Sequence, residues 1–316
     1  TDGSPSYTYS WSTLDGSGIV ITDEDQTGLT AGTYNVTTTD TNGCIITSSI
    51  ILIEPLPLTG ITSVTSDYNG YATSCLGASD GSISIAVADG SPAYSYVWTN
   101  EDGDVISNDQ SPTDLPAGQY FVEITDINGC VLNDDISIST PPPFDLTTTI
   151  LSDYNGQQVS CFGAEDGNVT VALAGGTPAY TFVWTDAAGA VISNLQNPNN
   201  FGAEEYFLVA TDANGCISDT SVTLTEPTPI ETVTSVTSDY NGEQISCFLA
   251  SDGSVLVEAS GGTPGYTYTW TNSDGAVVGG NANAGGLPTG DYDIQVMDVN
   301  GCIATNTISL TQPTPV

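Results

Sequence analysis

The groups in this chain able to do chemistry are thiols, carboxylates and hydroxyls, because Lys, Arg and His are absent. The thiols form two series. Cys75, Cys161 and Cys247 each stand five residues after the words "SDYNG", and Cys44, Cys130, Cys216 and Cys302 each close an Asn-Gly-Cys sequence. Both series advance in steps of 86 residues. A nucleophilic cysteine needs its thiolate stabilised by a base or a cation, and neither is available. Cysteines repeating in register beside a single Met suit disulfides in an oxidising, extracellular setting. Catalysis by paired carboxylates would need two acids converging in a cleft. Asp80, Asp166 and Asp252 instead occur once per period, in Asp-Gly turns. The sequence therefore predicts no catalytic residues and no enzyme.

The carboxylates give a net charge of −38 with no internal counter-charge, so salt bridges between side chains are impossible. Nucleic acid and anionic membrane surfaces are excluded as partners, since both are bound through Lys and Arg. No run approaches the ~18 apolar residues of a membrane span, so no insertion into a bilayer is predicted. Dissolved cations remain. The pattern D-x-N-G occurs as Asp67/Asn69, Asp126/Asn128, Asp153/Asn155, Asp212/Asn214, Asp239/Asn241 and Asp298/Asn300, with Asp80, Asp166 and Asp252 close to the "SDYNG" copies. Oxygen-only side chains in turns suit Ca²⁺, the one cofactor the sequence brings forward. The same pattern is also a good turn in its own right, and the closing Glu of a full calcium loop is missing.

Internal repetition organises everything else. Trp11, Trp98, Trp184 and Trp270 keep the same beat, with one extra residue in the first interval. Prolines in "EPLPL", "TPPPF", "EPTPI" and "QPTPV" recur once per period and favour extended, semi-rigid seams. These marks divide the chain into a truncated repeat at 1–56 and full repeats at 57–142, 143–228 and 229–316. Residue 1 falls where Ala88 falls in the second repeat, so the register reads as part of a longer array.

Within the second repeat, Ile83, Ile85 and Val87 alternate on one face, as do Tyr94, Tyr96 and Trp98. Residues 120–126 and 133–139 continue the period of two, and no stretch shows helical periodicity. The expected fold is all-β: a tandem array of immunoglobulin-like or fibronectin-like β-sandwich repeats of 86 residues. Leu115, Gly118 and Tyr120 fit the corner by which such sandwiches turn into their sixth strand. Leu287, Gly290 and Tyr292 repeat it, whereas Phe201 and Glu204 require a different corner in the third repeat. A domain this small needs large side chains in its core, so Trp11, Trp98, Trp184, Trp270, Tyr120, Tyr206 and Tyr292 are expected core aromatics rather than a sugar-stacking platform. In "DINGC", Asn128-Gly129 is expected to supply positive φ angles to a two-residue turn.

The order "SDYNG…SC.GA.DGS…GG.P.Y.Y.W…LPAG.Y…TD.NGC…EP" resembles the SprB-type repeat of large gliding-motility adhesins over the whole chain. Cys75, Gly77, Asp80, Gly81, Pro92, Tyr94, Trp98, Gly118, Tyr120, Asp126, Asn128, Gly129 and Cys130 match; Leu249 departs where Gly77 and Gly163 stand. The resemblance implies a long adhesin exported by type IX secretion, attached outside the outer membrane and moved by the gliding machinery. Its other regions would contact external surfaces or polysaccharide. A structural stalk is the expected role of this stretch. An array of carbohydrate-binding modules is the alternative, with its contacts in the least regular segments, 101–113, 187–200 and 273–286.

An immunoglobulin-like order also bears on the cysteines. The turn after the first strand lies at the exit end of a sandwich, and the hairpin before the last strand at the opposite end. Pairing Cys75 with Cys130 would cross about 8 residues of strand, roughly 26 Å, against a Cα limit near 7 Å. The preferred pairs are therefore Cys75 with Cys216 and Cys161 with Cys302, across the seams. Cys44, Cys130 and Cys247 would then have partners outside the chain. A "SDYNG" hairpin folded back along the sheet would permit pairing within one repeat instead.

Overall fold

The computed structural model describes residues 4–315. All the regular structure among them is strand. The chain forms two compact units: one of residues up to Thr73 with Gly77–Ser139, and one of Ser74–Leu76 with the residues from Thr140 onward.

The first unit opens with a three-stranded antiparallel sheet of Thr8–Thr13, Gly32–Thr39 and Ile45–Leu52. Its sandwich follows. Thr59–Val64 pairs with Ile83–Ala88, and Ser79–Gly81 with Leu115–Pro116, to make one layer. The other layer is a four-stranded sheet in the order Val131–Ile138, Gly118–Thr125, Ser95–Thr99 and Val105–Ser107. Alternation sends Tyr120, Val122 and Ile124 inward, where they meet Ile83, Ile85, Leu115, Ile138 and the fully buried Trp98.

The second unit builds the same sandwich twice. Asp145–Ile150, Gly167–Ala174 and Asn199–Phe201 face a sheet of Val191–Ser193, Thr181–Thr185, Glu205–Thr211 and Ile217–Thr223. Glu231–Val236, Gly253–Ser260 and Asn283–Leu287 face Val277–Gly279, Thr267–Asn272, Gly290–Met297 and Ile303–Leu310. Trp184 and Trp270 lie at the centres of these cores. The expected tandem array of immunoglobulin-like sandwiches is what the chain forms.

Two local devices fix each sandwich. Trp98, Trp184 and Trp270 donate their indole N–H groups to the Asp109, Leu195 and Asn281 carbonyls, each at 3.0 Å. The segments 101–113, 187–200 and 273–286 thus hold the buried indoles through backbone atoms, which leaves their side chains free to differ. The corner is the second device: Tyr120 and Tyr292 donate to the Pro116 and Pro288 carbonyls at 2.8 and 2.7 Å. In the third repeat Tyr206 reaches the Gly202 carbonyl at 3.3 Å, and Phe201 stacks on its ring at 4.1 Å. Burial, with Glu204 alongside, pushes the Tyr206 phenol up to about 12. Trp11 differs from the other tryptophans in being only half-buried, although its N–H still finds the Asp23 carbonyl.

Both repeated turns are tight. In "SDYNG", Tyr68 and Tyr71 exchange backbone hydrogen bonds around Asn69 (φ 56°) and Gly70 (φ 94°), a two-residue turn that demands positive φ at both positions. The "DINGC" hairpin corrects the expectation, because only Gly129 has positive φ there (84°). The Gly129 N–H bonds the Asp126 carbonyl and the Asp126 N–H bonds the Cys130 carbonyl, giving a three-residue loop that ends in a left-handed glycine. Asn128 is thereby released from a conformational role, and its side chain is free for another.

Candidate functional site

The site begins with Asp212. It is buried in a chain with no cation, so its charge has to be satisfied by N–H groups. Its Oδ1 accepts from the Asn214 and Cys216 N–H groups, both at 2.9 Å, and its Oδ2 accepts from the Thr177 N–H at 2.7 Å. Asp298 does the same with Asn300 (3.0 Å), Cys302 (2.9 Å) and Thr263 (2.8 Å). Asp126 bonds Asn128, Cys130 and Ser91. In Asp126 and Asp40 the hydrogen bond from the cysteine N–H, aided by its neighbours, holds the carboxyl below the usual aspartate range.

The carboxylate thereby fixes the hairpin that carries Asn214 and Cys216. The Asn214 Nδ2 donates to the Ser74 carbonyl at 3.2 Å and to Thr177 Oγ1 at 3.1 Å. The Cys216 Sγ lies 3.2 Å from the same Ser74 carbonyl and is bonded to Cys75, with the two Cα atoms 5.6 Å apart. This geometry recurs 86 residues later. Asn300 Nδ2 reaches the Ser160 carbonyl (3.2 Å) and Thr263 Oγ1 (2.9 Å), and Cys302, with Sγ 3.2 Å from the Ser160 carbonyl, is bonded to Cys161. Asn155 Nδ2 adds a 2.6 Å bond to Asn300 Oδ1. Both bridges span 141 residues.

The receiving loop at Cys161 is itself braced. Asp166 Oδ1 accepts from the Ser160 N–H at 3.0 Å, and the Ala164 N–H bonds the Cys161 carbonyl. An apolar rim surrounds each bridge, with Leu76, Phe144 and Ile217 at the first and Phe162, Ile230 and Ile303 at the second. Cys44, Cys130 and Cys247 are exposed and unbonded.

Several of the candidate calcium ligands also serve their own turns. Asp67, Asp153 and Asp239 accept the N–H groups of Gly70, Gly156 and Gly242 within their own turns. Asp252 takes the Ser246 N–H, and the hydrogen bonds from Ser246 lower its pKa. Tyr68 donates to the backbone carbonyl of Asp80. Asn69, Asn155 and Asn241 occupy left-handed turn positions. Among the described residues no three Asp, Glu, His or Cys side chains gather as a metal cluster, and no helix is long and apolar enough to cross a membrane. The contact that sequence reasoning missed is the asparagine clamp. The sequence shows only that the same Asn recurs in all four Asn-Gly-Cys sequences, and not what it contacts.

These features define a class: tandem immunoglobulin-like β-sandwiches carrying disulfides clamped by asparagine. Residues 73–103, 154–189 and 240–275 match the SprB repeat family. No match was found among curated proteins. Solved structures resembling it include a 1.5-MDa bacterial ice-binding adhesin, 15% identical over 82% of this chain and 99% of that one, with TM-score 0.36. The N-terminal eight Ig domains of Down Syndrome Cell Adhesion Molecule are 10% identical with TM-score 0.29, covering 98% of this chain. This chain spans 56% of their length. Cadherin domains 3–6 of protocadherin gamma B2 are 13% identical over 99% and 93% of the two chains, with TM-score 0.27.

Proposed function

We propose that this chain is a stretch of stalk from a long adhesin held outside the cell at its surface, in which disulfides clamped by asparagine join successive repeats. The observation that carries this reading is the recurrence of one bridge, with the same carbonyl, the same asparagine and the same 141-residue span. The SprB repeats support an adhesin, and through it a role in gliding motility and surface attachment after type IX secretion. Its partners are then the gliding and secretion machinery, and external surfaces or polysaccharide reached by other parts of the protein. A chain that lacks His, Lys and Arg and commits its buried carboxylates to turns supports a structural role over catalysis. Non-reducing peptide mapping of protein taken from intact cells tests the joint. A linked pair containing Cys75 and Cys216 is expected, and one containing Cys75 and Cys130 refutes the reading. Antibody raised to this stretch should label cells without permeabilisation.

A specific observation favours the carbohydrate-binding alternative as a second reading. The outer face of the four-stranded sheet bears a shallow depression of about 380 Å³ beside Val97, Phe121, Glu123 and Asp135. A depression recurs at the same register beside Asp293, Thr305 and Thr307. A ring flanked only by uncharged groups and carboxylates suits neutral sugar hydroxyls. Binding of an uncharged polysaccharide that is lost in Phe121→Ala would support it, and no retention of the chain by such a matrix would remove it.

A further inference from the structure

Every cysteine in the chain is followed directly by Leu, Phe, Ile or Val. At the two joints these residues are Leu76 with Ile217, and Phe162 with Ile303. Joint formation does not bury them: they stay between 55% and 66% exposed, although the sandwich cores take up other side chains of the same kind. Large apolar groups held outside a core mark a surface that meets a partner. Each bridge also lines a cavity, of about 380 Å³ at Cys75–Cys216 and about 360 Å³ at Cys161–Cys302, with the same apolar residues on its wall. Both cavities lie wholly within the second compact unit, and their recurrence in register shows that neither is opened by an end of the sequence. What they give access to is a sulfur, since Cys75 and Cys161 are half-buried.

The order of the cysteines gives that access a use. Along the chain every joint cysteine has a neighbour 31 or 55 residues away, whereas its joint partner is 141 residues away. Loop closure in the unfolded chain therefore favours a neighbour about four- to tenfold. The two bridges also interleave, because Cys161 lies inside the loop closed by Cys75 and Cys216. Oxidation before folding thus yields bonds that must be exchanged. Exchange needs a thiolate, and the chain has no cation to stabilise one. The Asp126 carboxylate beside Cys130 pushes its thiol up, and Asp212 and Asp298 hold the same place beside Cys216 and Cys302. A thiol of low pKa supplied from outside removes that obstacle.

We propose that the apolar residue after each joint cysteine is a docking point for a thiol–disulfide oxidoreductase, a partner with a dithiol beside an apolar groove, which isomerises bonds between neighbouring cysteines into the joint bonds. The proposal rests on the joint reading above and adds the partner that makes the joint. The enzyme thiolate attacks Cys75 Sγ in a Cys75–Cys130 bond, and Cys130 leaves as a thiolate and takes a proton. The Cys216 thiol then gives up a proton, its thiolate attacks Cys75 Sγ, and the enzyme thiolate is expelled. One protein S–S bond is broken and one is formed, with no net oxidation. A second copy of this chain or an anionic membrane is a poor occupant of the same surface, because the charge of −38 meets no cation on either.

The test reduces and unfolds the 316-residue chain, then refolds it in a glutathione redox buffer with and without protein disulfide isomerase. Linked peptides are mapped over time with a protease specific for acidic residues. Neighbour pairs are expected first, followed by Cys75–Cys216 and Cys161–Cys302, with the isomerase accelerating the second stage several-fold. The double change Phe162→Ser and Ile303→Ser should remove most of that acceleration at Cys161–Cys302 and spare it at Cys75–Cys216 in the same molecule. An isomerase with a single active-site cysteine should be trapped on Cys161 or Cys302 of the parent chain and several-fold less on those of the variant. Joint bonds that form with no neighbour pairs before them overturn the proposal, as does equal acceleration in variant and parent. A variant slowed to the same degree with and without the isomerase also overturns it, since the apolar residues then serve folding alone. Absence of the joint bonds under every condition would refute the joint reading itself.

Discussion

The two disulfides overlap in sequence, and that overlap sets how far the unfolded chain can be pulled. Residues 75 to 302 comprise 227 steps of backbone, but a load entering at Cys75 crosses to Cys216, runs back to Cys161 and crosses to Cys302. The shortest covalent path is then the 55 steps between Cys161 and Cys216. At roughly 3.5 Å per residue the region extends to about 800 Å when reduced and about 190 Å when oxidised. Reduction, or the quadruple change of Cys75, Cys161, Cys216 and Cys302 to Ser, should therefore add about 600 Å of contour length. Single-molecule force extension of the chain tethered at its termini, with and without a reductant, measures this directly. Equal contour lengths in the two conditions would refute the joints as a mechanical limit. A gain of about 490 Å, the 141 steps closed by a single bond, would show that only one bridge forms.

Leu249 sits at φ 64° where its counterparts are glycines, so Leu249→Gly should stabilise the last repeat by about 1 kcal/mol in thermal unfolding. Tyr292→Phe, which loses a 2.7 Å bond to a buried-side carbonyl, should cost about 1 kcal/mol, and Tyr206→Phe, with its 3.3 Å bond, less. The lowered pKa values of Asp126 and Asp40 mean that their contribution is complete above the ordinary aspartate value near 3.9 and is lost as pH falls through the lower folded values. Melting temperature should accordingly fall steeply only below about pH 4, with a shallower acid limb in Asp126→Asn. Because Asp126, Asp212 and Asp298 already accept three N–H groups each, a chelator should leave the transition where it is; a rise of several degrees with millimolar calcium would refute that.

The sandwich was legible in the sequence because its signals are local: alternation at Ile83, Ile85 and Tyr120 to Ile124, a Trp once per period and the Tyr corner all act within about ten residues. The "DINGC" turn was less so. Asn-Gly reads as a two-residue turn, and what selects the longer loop is the Asp126 carboxylate gathering the N–H groups of Asn128 and Cys130. The asparagine clamp depends on the Ser74 carbonyl, 140 residues from Asn214, which no local pattern encodes. Strand length argues against pairing Cys75 with Cys130, yet leaves open a hairpin folded back along the sheet. Only the placement of the Ser74–Leu76 loop with the residues after Thr140 distinguishes these cases.

The same overlap has a consequence for the proposed surface stalk where it meets proteases. Any single cut between residues 75 and 216 leaves its two pieces held by the Cys75–Cys216 bond, and any cut between 216 and 302 leaves them held by Cys161–Cys302. Trypsin finds no site at all, because there is no Lys or Arg to cleave after. An enzyme of different specificity can sever one peptide bond anywhere in this stretch without releasing a fragment. Damage to the backbone is thus separated from loss of attachment, and parting the two ends of this stretch requires a cut in each of 75–161, 161–216 and 216–302, or one cut combined with reduction of the bonds that span it.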